Sequence, residues 1–358
     1  MTWRVDTGDC REVMARMEPE SVTAIVTDPP YFKVKGEAWD RQWDKPDAFL
    51  SWLESVLTEC RRVLKPNGSL YSFASPQMAA RVECVIGKLF NVLNHIVWNK
   101  NAPQGRHKQA CKDALRLYFP IKEHIIFAEP FGADATALGL SNYGAKCNEL
   151  RGFVFEPLRA YLDGERIAAG VSRGECNRAC GVSTMASNHY FPRSQWQLPT
   201  AEHYAAMREL FNRNGGAYLR REYEDLRREY EDLRREYEDL RRPFAVTAED
   251  QYTDVWHFEP VQFYKGKHPC EKPIDLMRHI VQRSCPPGSI ILDPFCGSGT
   301  TGCAAVLENC DFIGIEMNPE YADIARARIA HWEKTGAPLD QPKRNPAEMP
   351  GTPLLGDL

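Results

Sequence analysis

The apolar and polar positions of the first 130 residues alternate between short β-type runs and longer stretches with helical spacing. Val22–Thr27 is rich in β-branched and apolar residues and stops at two prolines, which is typical of a buried strand. Residues 48–64 place apolar side chains on one side of a helix that ends before the Pro-Asn-Gly sequence at 66–68. A helix is also predicted over residues 76–90. The other predicted strands are residues 4–7, 69–74, 92–98 and 124–128.

Strand and helix patterns return in the last quarter of the chain. They predict strands at residues 289–293 and 312–316, and helices at 300–308 and from 319 to about 334. The repeated alternation predicts an α/β fold.

Two other stretches lack this alternation. The periodicity weakens between residues 131 and 263, so this region is predicted to be a separate, loop-rich module. Residues 337–358 are rich in proline and poor in apolar periodicity, and are predicted to form a flexible tail.

A heptapeptide, Arg-Arg-Glu-Tyr-Glu-Asp-Leu, occurs three times without change between residues 220 and 240. Tyrosine and leucine recur every seven residues, three positions apart, which places them at the a and d positions of a heptad. The repeat predicts a helix over residues 220–242, roughly 30 Å long for three heptads. We interpret it as an exposed helix that docks through its Tyr/Leu stripe. A coiled coil between two chains and an arm lying on DNA are the alternatives.

The composition is that of an ordinary globular protein, with 43% hydrophobic and 26% charged residues among 358. This length suits one large α/β domain with an inserted segment, or two modest domains. Residues 1–5 contain no apolar signal core, and no run approaches the roughly 20 apolar residues of a membrane helix, so a cytoplasmic protein is expected. The 12 cysteines are scattered, which indicates reduced thiols.

The formal net charge of −4 counts mildly against binding of nucleic acid, although phosphate affinity depends on local basic patches. One basic stretch precedes the middle region. Two interpretations stay open for it: a surface that holds nucleic-acid phosphates, and a solvated loop. Its basic residues are Lys100, Arg106, His107, Lys108, Lys112, Arg116 and Lys122.

The segment from Asp293 to Thr301, Asp-Pro-Phe-Cys-Gly-Ser-Gly-Thr-Thr, lies between a predicted strand and a predicted helix. Its glycines let the backbone take positive φ and approach a ligand closely. Glu316 ends the next strand, where an acid suits hydrogen bonding to ribose hydroxyls. A lone Gly-x-Gly often serves packing alone, but the order of strand, glycine turn, helix, strand and acid predicts a nucleotide-type site.

Asp28-Pro29-Pro30-Tyr31 directly follows the predicted strand Val22–Thr27. The carboxylate of Asp28 and the carbonyl of Pro29 can both accept hydrogen bonds from an amino group, and the ring of Tyr31 can stack on a planar base. The tetrapeptide alone is equally compatible with a simple turn that closes a strand.

The two motifs together resemble the amino-directed DNA methyltransferases, in which Asp-Pro-Pro-Tyr is the catalytic motif and Phe-x-Gly-x-Gly binds S-adenosylmethionine. The catalytic motif comes first here, as in the β class of that family. Residues 8–10, 62–68 and 268–273 are similar to further family segments. The resemblance implies a Rossmann-like methyltransferase sheet in circularly permuted order with an inserted target-recognition region.

This resemblance also divides the chain. It implies a catalytic half at residues 1–130, the target-recognition region at 131–263 and a cofactor-binding half at 264–336. The implied activity is site-specific transfer of a methyl group from S-adenosylmethionine to N6 of adenine in double-stranded DNA, of the kind found in restriction-modification. The target base would flip out of the duplex and the methyl group would pass to it directly, in line. A homodimer is expected, because the β class often dimerises and the Tyr/Leu stripe is apolar.

The implied site residues fall into three groups. The catalytic residues are Asp28, Pro29, Pro30 and Tyr31. The cofactor contacts are Asp9, Cys10, Asp28, His268, Lys272, Asp293, Phe295, Cys296, Gly297, Ser298, Gly299, Thr300, Thr301 and Glu316. The expected DNA contacts are Lys100, Arg106, Lys108, Lys112 and Arg116. Either a base pocket or the packing of a long loop explains Trp39, Asp40 and Trp43.

Four alternatives rank lower. An N4-cytosine enzyme would share the mechanism, but such family members usually carry serine in place of Asp28. A C5-cytosine enzyme needs a cysteine nucleophile, and Cys270 precedes the glycine turn instead of following it. A zinc module has no strong spacing pattern among Cys147, Cys176, Cys180 and His189. A non-catalytic DNA-binding protein is disfavoured by the intact Asp28 and glycines.

Overall fold

The computed structural model describes residues 1–32, 41–100, 121–131, 143–193, 195–246, 253–262 and 270–337. Within these ranges the chain forms one eight-stranded sheet with helices on both faces, and a helical region between residues 143 and 246. The predicted α/β fold is therefore confirmed. None of the helices in these ranges is long and apolar enough to cross a membrane.

Every strand predicted outside the middle region is present, within a few residues of its expected bounds. The strand predicted at residues 69–74 begins five residues earlier, at Leu64, because the Pro-Asn-Gly sequence forms an irregular strand start opposite a register shift. The strands are β1 (Trp3–Thr7), β2 (Val22–Thr27), β3 (Leu64–Ala74), β4 (Phe90–Asn99), β5 (Lys122–Pro130), β6 (Val255–His257), β7 (Ile290–Asp293) and β8 (Asp311–Glu316).

The helices predicted outside the middle region are also present. The described helices are α1 (Cys10–Met14), α2 (Pro46–Val63), α3 (Ala79–Ile86), α4 (Tyr143–Val154), α5 (Glu156–Ala168), α6 (Arg173–Ala179), α7 (Ala201–Asn212), α8 (Tyr223–Leu240), α9 (Ile274–Ser284), α10 (Thr300–Leu307) and α11 (Pro319–Thr335). A short π-helix, Ala186–Tyr190, follows α6.

The helices cover the sheet because each presents an apolar face to it. In α2 the side chains of Phe49, Leu53, Val56, Leu57 and Cys60 are all nearly fully buried, as their helical spacing predicts. Burying each aliphatic or aromatic side chain of this size contributes about 1.5–3 kcal/mol. Helices α1 to α3 pack on one face of the sheet, and α9 to α11 pack on the other.

The sheet order is β1-β8-β7-β2-β3-β5-β4-β6, and β5 runs antiparallel to both of its neighbours. Strands β2 and β7 lie side by side, with Ala24 opposite Ile291 and Ile25 opposite Leu292. From this pair the chain continues outward in opposite directions, to β3 and to β8. Ligands of open α/β sheets bind at the carboxyl ends of strands at such a switch point. The sheet therefore brings the Asp28 motif and the Asp293 turn to one place.

The region between residues 143 and 246 is helical, so the prediction of a loop-rich module was wrong for it. Its helices enclose a separate apolar cluster that includes Leu158, Tyr190, Trp196 and Tyr204. The sequence pattern did not predict these helices because each of them has few fully buried residues. In α5 these residues are Leu158 and Leu162. Strand β6 also lies within residues 131–263 but pairs with β4, so this stretch is not a separate unit throughout.

The heptad repeat forms α8, and its Tyr/Leu stripe packs within the chain. Leu226 is fully buried and Tyr237 nearly so, and the ring of Tyr230 lies 5.3 Å from that of Phe155. The docked-helix interpretation is therefore confirmed. A coiled coil through the same stripe would have to displace these contacts, so the stripe no longer supports a homodimer, which stays a prediction.

The carboxyl end of α8 is anchored to the sheet. The side-chain amide of Asn67 donates hydrogen bonds to the carbonyls of Asp239 (2.8 Å) and Arg241 (3.2 Å), which satisfies acceptors that a helix end leaves open. Arg242, which is 2% exposed, places Nε 3.1 Å from Oε2 of Glu129 on β5. These contacts join the helical region to β3 and β5.

Candidate active site

A cavity of about 560 Å³ opens at the carboxyl ends of β1, β2, β7 and β8. Its volume lies within the roughly 300–1,000 Å³ of small-molecule sites. The cavity gathers most of the predicted site residues, namely Asp9, Cys10, Asp28, Pro29, Pro30, Tyr31, Lys272, Asp293, Phe295, Cys296, Gly297, Ser298, Thr300, Thr301 and Glu316.

The glycine-rich turn is organised by Asp293, the last residue of β7. Its Oδ1 accepts a hydrogen bond from the backbone N–H of Phe295 (3.1 Å), and its Oδ2 accepts one from the hydroxyl of Thr301 (2.5 Å). The side chain is almost fully buried, and this burial raises the pKa of Asp293 to about 7. Asp293 therefore holds the turn closed between β7 and α10.

Two glycines shape the same turn. Gly297 and Gly299 take left-handed φ values of 52° and 79°, where a side chain is strained. A Cβ on Gly299 would also lie 2.9 Å from Cβ of Ala325 on α11, closer than real atoms approach. Gly299 does not line the cavity; it lets the turn pack on α11.

Glu316 at the end of β8 faces the turn. Its Oε2 accepts a hydrogen bond from the N–H of Gly297 (2.8 Å), and its Oε1 accepts one from the N–H of Asn318 (2.9 Å). Burial raises the pKa of Glu316, although these N–H groups oppose the rise. Each carboxylate oxygen has a second lone pair for a ligand hydroxyl.

Asp9 and Cys10 enter the cavity from the start of α1. Asp9 is the N-cap of this helix: its carboxylate accepts a hydrogen bond from the N–H of Arg11 (2.8 Å) and pairs with the guanidinium of the same residue (2.8 Å). The Arg11 side chain lowers the pKa of Asp9, which keeps it ionised. Burial raises the pKa of the Cys10 thiol to about 12, so Cys10 is a neutral wall residue.

Asp28 also lines the cavity, directly after β2. Its Oδ2 is bound by Nζ of Lys272, whereas its buried Oδ1 has no hydrogen-bond partner among the described residues. Burial raises the pKa of Asp28, and the positive charge of Lys272 opposes the rise. A buried carboxylate oxygen without a partner is costly in a folded protein, so its presence indicates that a ligand donor belongs there.

Lys272 lies between two carboxylates. Its side chain is 8% exposed, and its Nζ is 3.5 Å from Oε2 of Glu123 on β5 as well as bound to Asp28. The hydroxyl of Tyr31 donates a hydrogen bond to the same Oε2 (3.2 Å). Burial disfavours the ammonium ion, but the two carboxylates outweigh this and raise the pKa of Lys272, so it is charged.

Comparison with known proteins identifies the family. A family model described as DNA methylase, covering N6 and N4 enzymes, matches residues 22–327 and includes both motifs. The chain belongs to this DNA methylase family.

Two bacterial proteins are similar to nearly the whole methylase. The DNA adenine methyltransferase YhdJ of Escherichia coli (strain K12) is 26% identical over 328 residues, which are 90% of this chain and 81% of that protein. The type II methyltransferase M.HinfI of Haemophilus influenzae is 23% identical over 347 residues, which are 90% of this chain and 67% of that protein. The solved PvuII DNA methyltransferase (cytosine-N4-specific) has a TM-score of 0.52 at 12% identity, covering 91% of this chain and 86% of that one, and shares the fold.

Several predicted residues lie elsewhere or outside the described ranges. Lys100, at the end of β4, pairs with Glu123, which contacts Tyr31 and Lys272, and its side chain is 27% exposed. Trp43 packs against Phe49 and Trp52 in the core and does not line the cavity. The residues outside the described ranges are Trp39, Asp40, Arg106, Lys108, Lys112, Arg116 and His268.

Sequence reasoning missed four residues of the methylase site. Trp52 and Met317 line the cavity, and Arg328 donates a hydrogen bond to the carbonyl of Ser298 in the turn (2.6 Å). Helical spacing assigned Trp52 to the core, and nothing in the sequence marked Arg328. Glu123 directly precedes the strand predicted at residues 124–128, and nothing in the sequence marked it either.

The zinc-module alternative has no support in the described residues, where no three metal-binding side chains come together. His189 donates to the carbonyl of Gln195 through Nδ1 (3.2 Å), and the Cys180 thiol donates to the carbonyl of His203 (3.7 Å). These side chains serve the packing of the helical region.

Proposed function

We propose that the methylase transfers a methyl group from S-adenosylmethionine to N6 of adenine in double-stranded DNA. The observation that carries this proposal is the unpartnered Oδ1 of Asp28, which lies in the same cavity as the glycine turn. A relative named a DNA adenine methyltransferase supports adenine over cytosine as the target.

The cavity fits S-adenosylmethionine by three criteria. Its turn has no side chain at Gly297, so a ligand can approach the backbone. Glu316 offers acceptors for ribose hydroxyls, and the acids around the cavity suit a cation. When bound, the cofactor supplies an electrophilic methyl group on a sulfonium ion. Asp9, Phe295, Gly297, Thr300 and Glu316 would hold it.

The chemistry of the amino group explains the work of Asp28. The N6 lone pair of adenine is delocalised into the ring, which makes the amine a poor nucleophile. Hydrogen bonds from this amine to Oδ1 of Asp28 and to the carbonyl of Pro29 would localise the pair and aim it, and Asp28 would accept the proton that the amine loses. This catalysis is positioning and electrostatics without a covalent enzyme intermediate.

Access to the amine requires the base to leave the duplex, where N6 is paired. Tyr31 lines the cavity next to Asp28, and its hydroxyl is held by Glu123. A ring tethered in this way would stack on the flipped base and keep its amino group against Oδ1.

The test incubates the full-length protein with labelled S-adenosylmethionine and PCR-amplified DNA, followed by nucleoside analysis. We expect N6-methyladenine from the wild type and none from Asp28→Ala, while calorimetry shows cofactor affinity within about threefold. N4-methylcytosine as the product would move the target to cytosine. Near wild-type turnover by Asp28→Ala would refute the mechanism.

The helical region between residues 143 and 246 is proposed to read the DNA sequence, because one base pocket cannot recognise the neighbouring bases. The arginine and asparagine side chains of this region are the candidates for reading bases. Among them, Arg159 and Arg166 are mostly buried against Asp163, and Asn177 is buried against Ser187. These three serve the structure. Arg178 and Asn188 are exposed on α6 and the π-helix, and we assign base reading to them.

Arginine and asparagine are the usual readers of guanine and adenine, and losing such a contact costs about 1–3 kcal/mol. Arg178→Ala and Asn188→Ala should each relax the preference at one position of the methylated site. Arg166→Ala is the control, which should lower stability and leave the site unchanged. Site mapping by sequencing of modified bases measures both. Unchanged sites in both exposed variants would place recognition elsewhere.

A further inference from the structure

Glu123 is a mostly buried carboxylate of this site that belongs to neither sequence motif. It lies on β5, a strand that carries neither the catalytic tetrapeptide nor the glycine turn, and its side chain is 15% exposed. Its Oε2 accepts the hydrogen bond of Tyr31 and lies 3.5 Å from Nζ of Lys272. Its Oε1 is bound by Lys100 at the end of β4.

These contacts make a charge-balanced cluster of two carboxylates and two ammonium groups. Burial alone would raise the pKa of Glu123, but Lys272 and Lys100 outweigh it and lower that pKa, so Glu123 is ionised. The ammonium of Lys272 also lies above the faces of Phe73 (4.9 Å) and Tyr31 (5.5 Å), so its position is set from several sides. Lys272 is therefore shared between Asp28 and Glu123.

Sharing matters because the reaction creates positive charge at the amine nitrogen. If Lys272 were paired with Asp28 alone, its positive charge would weaken this carboxylate as a hydrogen-bond acceptor and would repel the cation that forms on the amine. The carboxylate of Glu123 offsets part of the Lys272 charge, and Lys272 binds only Oδ2 of Asp28, so that Oδ1 stays open. The same Oε2 holds the hydroxyl of Tyr31, which sets the ring beside that oxygen.

We propose that Glu123 is a positioning residue for methyl transfer: its carboxylate shares the Lys272 ammonium with Asp28 and tethers Tyr31, so that Asp28 remains a strong acceptor with one oxygen open to the target amine. The inference rests on the proposed function, since it assigns a purpose to the open oxygen of Asp28.

The variant Glu123→Gln removes the negative charge but keeps the size of the side chain, and its amide oxygen can still accept the hydrogen bond from Tyr31. The assay is the single-turnover rate of methyl transfer from labelled S-adenosylmethionine to PCR-amplified DNA, measured from pH 5 to 9. We expect the plateau rate to fall roughly 10- to 100-fold, the range for misplaced catalytic groups. Cofactor affinity by calorimetry should stay within about threefold.

The pH profile gives a readout that a structural role would not move. The groups that face Asp28 are Lys272, Glu123, Tyr31 and Asp293. The charge of Glu123 raises the pKa of Asp28, so its removal should shift the acid limb to lower pH. Carboxyl NMR of 13C-labelled aspartate, assigned with Asp28→Asn, should show the same shift without cofactor.

Glu129→Gln is the matched control, with the same substitution in a buried ion pair on the same strand. We expect a lower melting temperature and an unmoved acid limb. A Glu123→Gln plateau equal to the wild type, or a lower plateau with an unmoved limb and an unmoved Asp28 pKa, would overturn the inference. An inactive wild type would instead refute the proposed function.

Discussion

Replacement of Gly299 by alanine tests how the glycine-rich turn is built. The new Cβ would suffer a left-handed φ of 79° and lie 2.9 Å from Cβ and 3.0 Å from Cα of Ala325. The backbone strain costs about 1–2 kcal/mol, and an overpacked contact adds about 1–3 kcal/mol. We expect the free energy of unfolding in urea to fall by about 2–5 kcal/mol. We also expect the affinity for S-adenosylmethionine to fall at least about tenfold, because α11 must move away from the turn.

Gly288 offers a control that isolates the contact. Its φ of 83° is equally left-handed, but a Cβ there would meet nothing within 4 Å. Gly288→Ala should therefore lose only the strain, about 1–2 kcal/mol, and bind the cofactor as the wild type does. Equal unfolding free energies for the two variants, with unchanged cofactor affinity in Gly299→Ala, would show that the turn does not depend on its contact with α11.

Three further substitutions probe other parts of the methylase. The pKa of Asp293 is about 7 in the folded protein against an ordinary 3.8, so the free energy of unfolding should fall by at most about 4 kcal/mol as the pH rises from about 4 to 7. Urea unfolding of Asp293→Asn should lack this fall. The same dependence of unfolding free energy on pH in the wild type and the variant would contradict the prediction. Leu226→Ala should lower the free energy of unfolding by about 2–5 kcal/mol because its side chain is fully buried, and a loss below 1 kcal/mol would show that α8 is not docked. Arg328→Ala, which frees the carbonyl of Ser298, should weaken cofactor binding in calorimetry by about tenfold, and unchanged affinity would remove Arg328 from the turn.

Most strands of the sheet and the helices that cover it could be predicted from the sequence, because burial of one or both of their faces leaves a regular pattern of apolar residues. The run Val22–Thr27 and the helical spacing of α2 are direct consequences of two-sided and one-sided burial. The location of the cavity could be predicted in the same way, because Asp28 and Asp293 both stand at the carboxyl ends of buried strands. The helical region could not, because each of its helices buries few side chains; in α5 the buried ones are Leu158 and Leu162.

Arginine shows why residue type alone could not separate structure from recognition. Arg159, Arg166 and Arg178 look alike in sequence, and by residue type each is able to read a base. The first two lie within 4 Å of Asp163, a contact that depends on helix spacing and on the fold of α5, whereas Arg178 is exposed. Both pairs require residues 156–168 to be helical, which the sequence pattern did not predict, so only the structure separates the groups.

The place of Glu123 depends on the direction of one strand. Strand β5 runs antiparallel to β4, so the first residues of β5 lie opposite the last residues of β4, with Glu123 opposite Trp98 and Lys122 opposite Asn99. Because β2 and β3 are parallel to each other and β5 is antiparallel to β3, the start of β5 reaches the edge where Asp28 follows β2. A parallel β5 would have carried Glu123 to the opposite edge, away from Lys272 and Tyr31. Strand periodicity is the same in both directions, which is why the second carboxylate of the site follows from the topology and not from the sequence pattern.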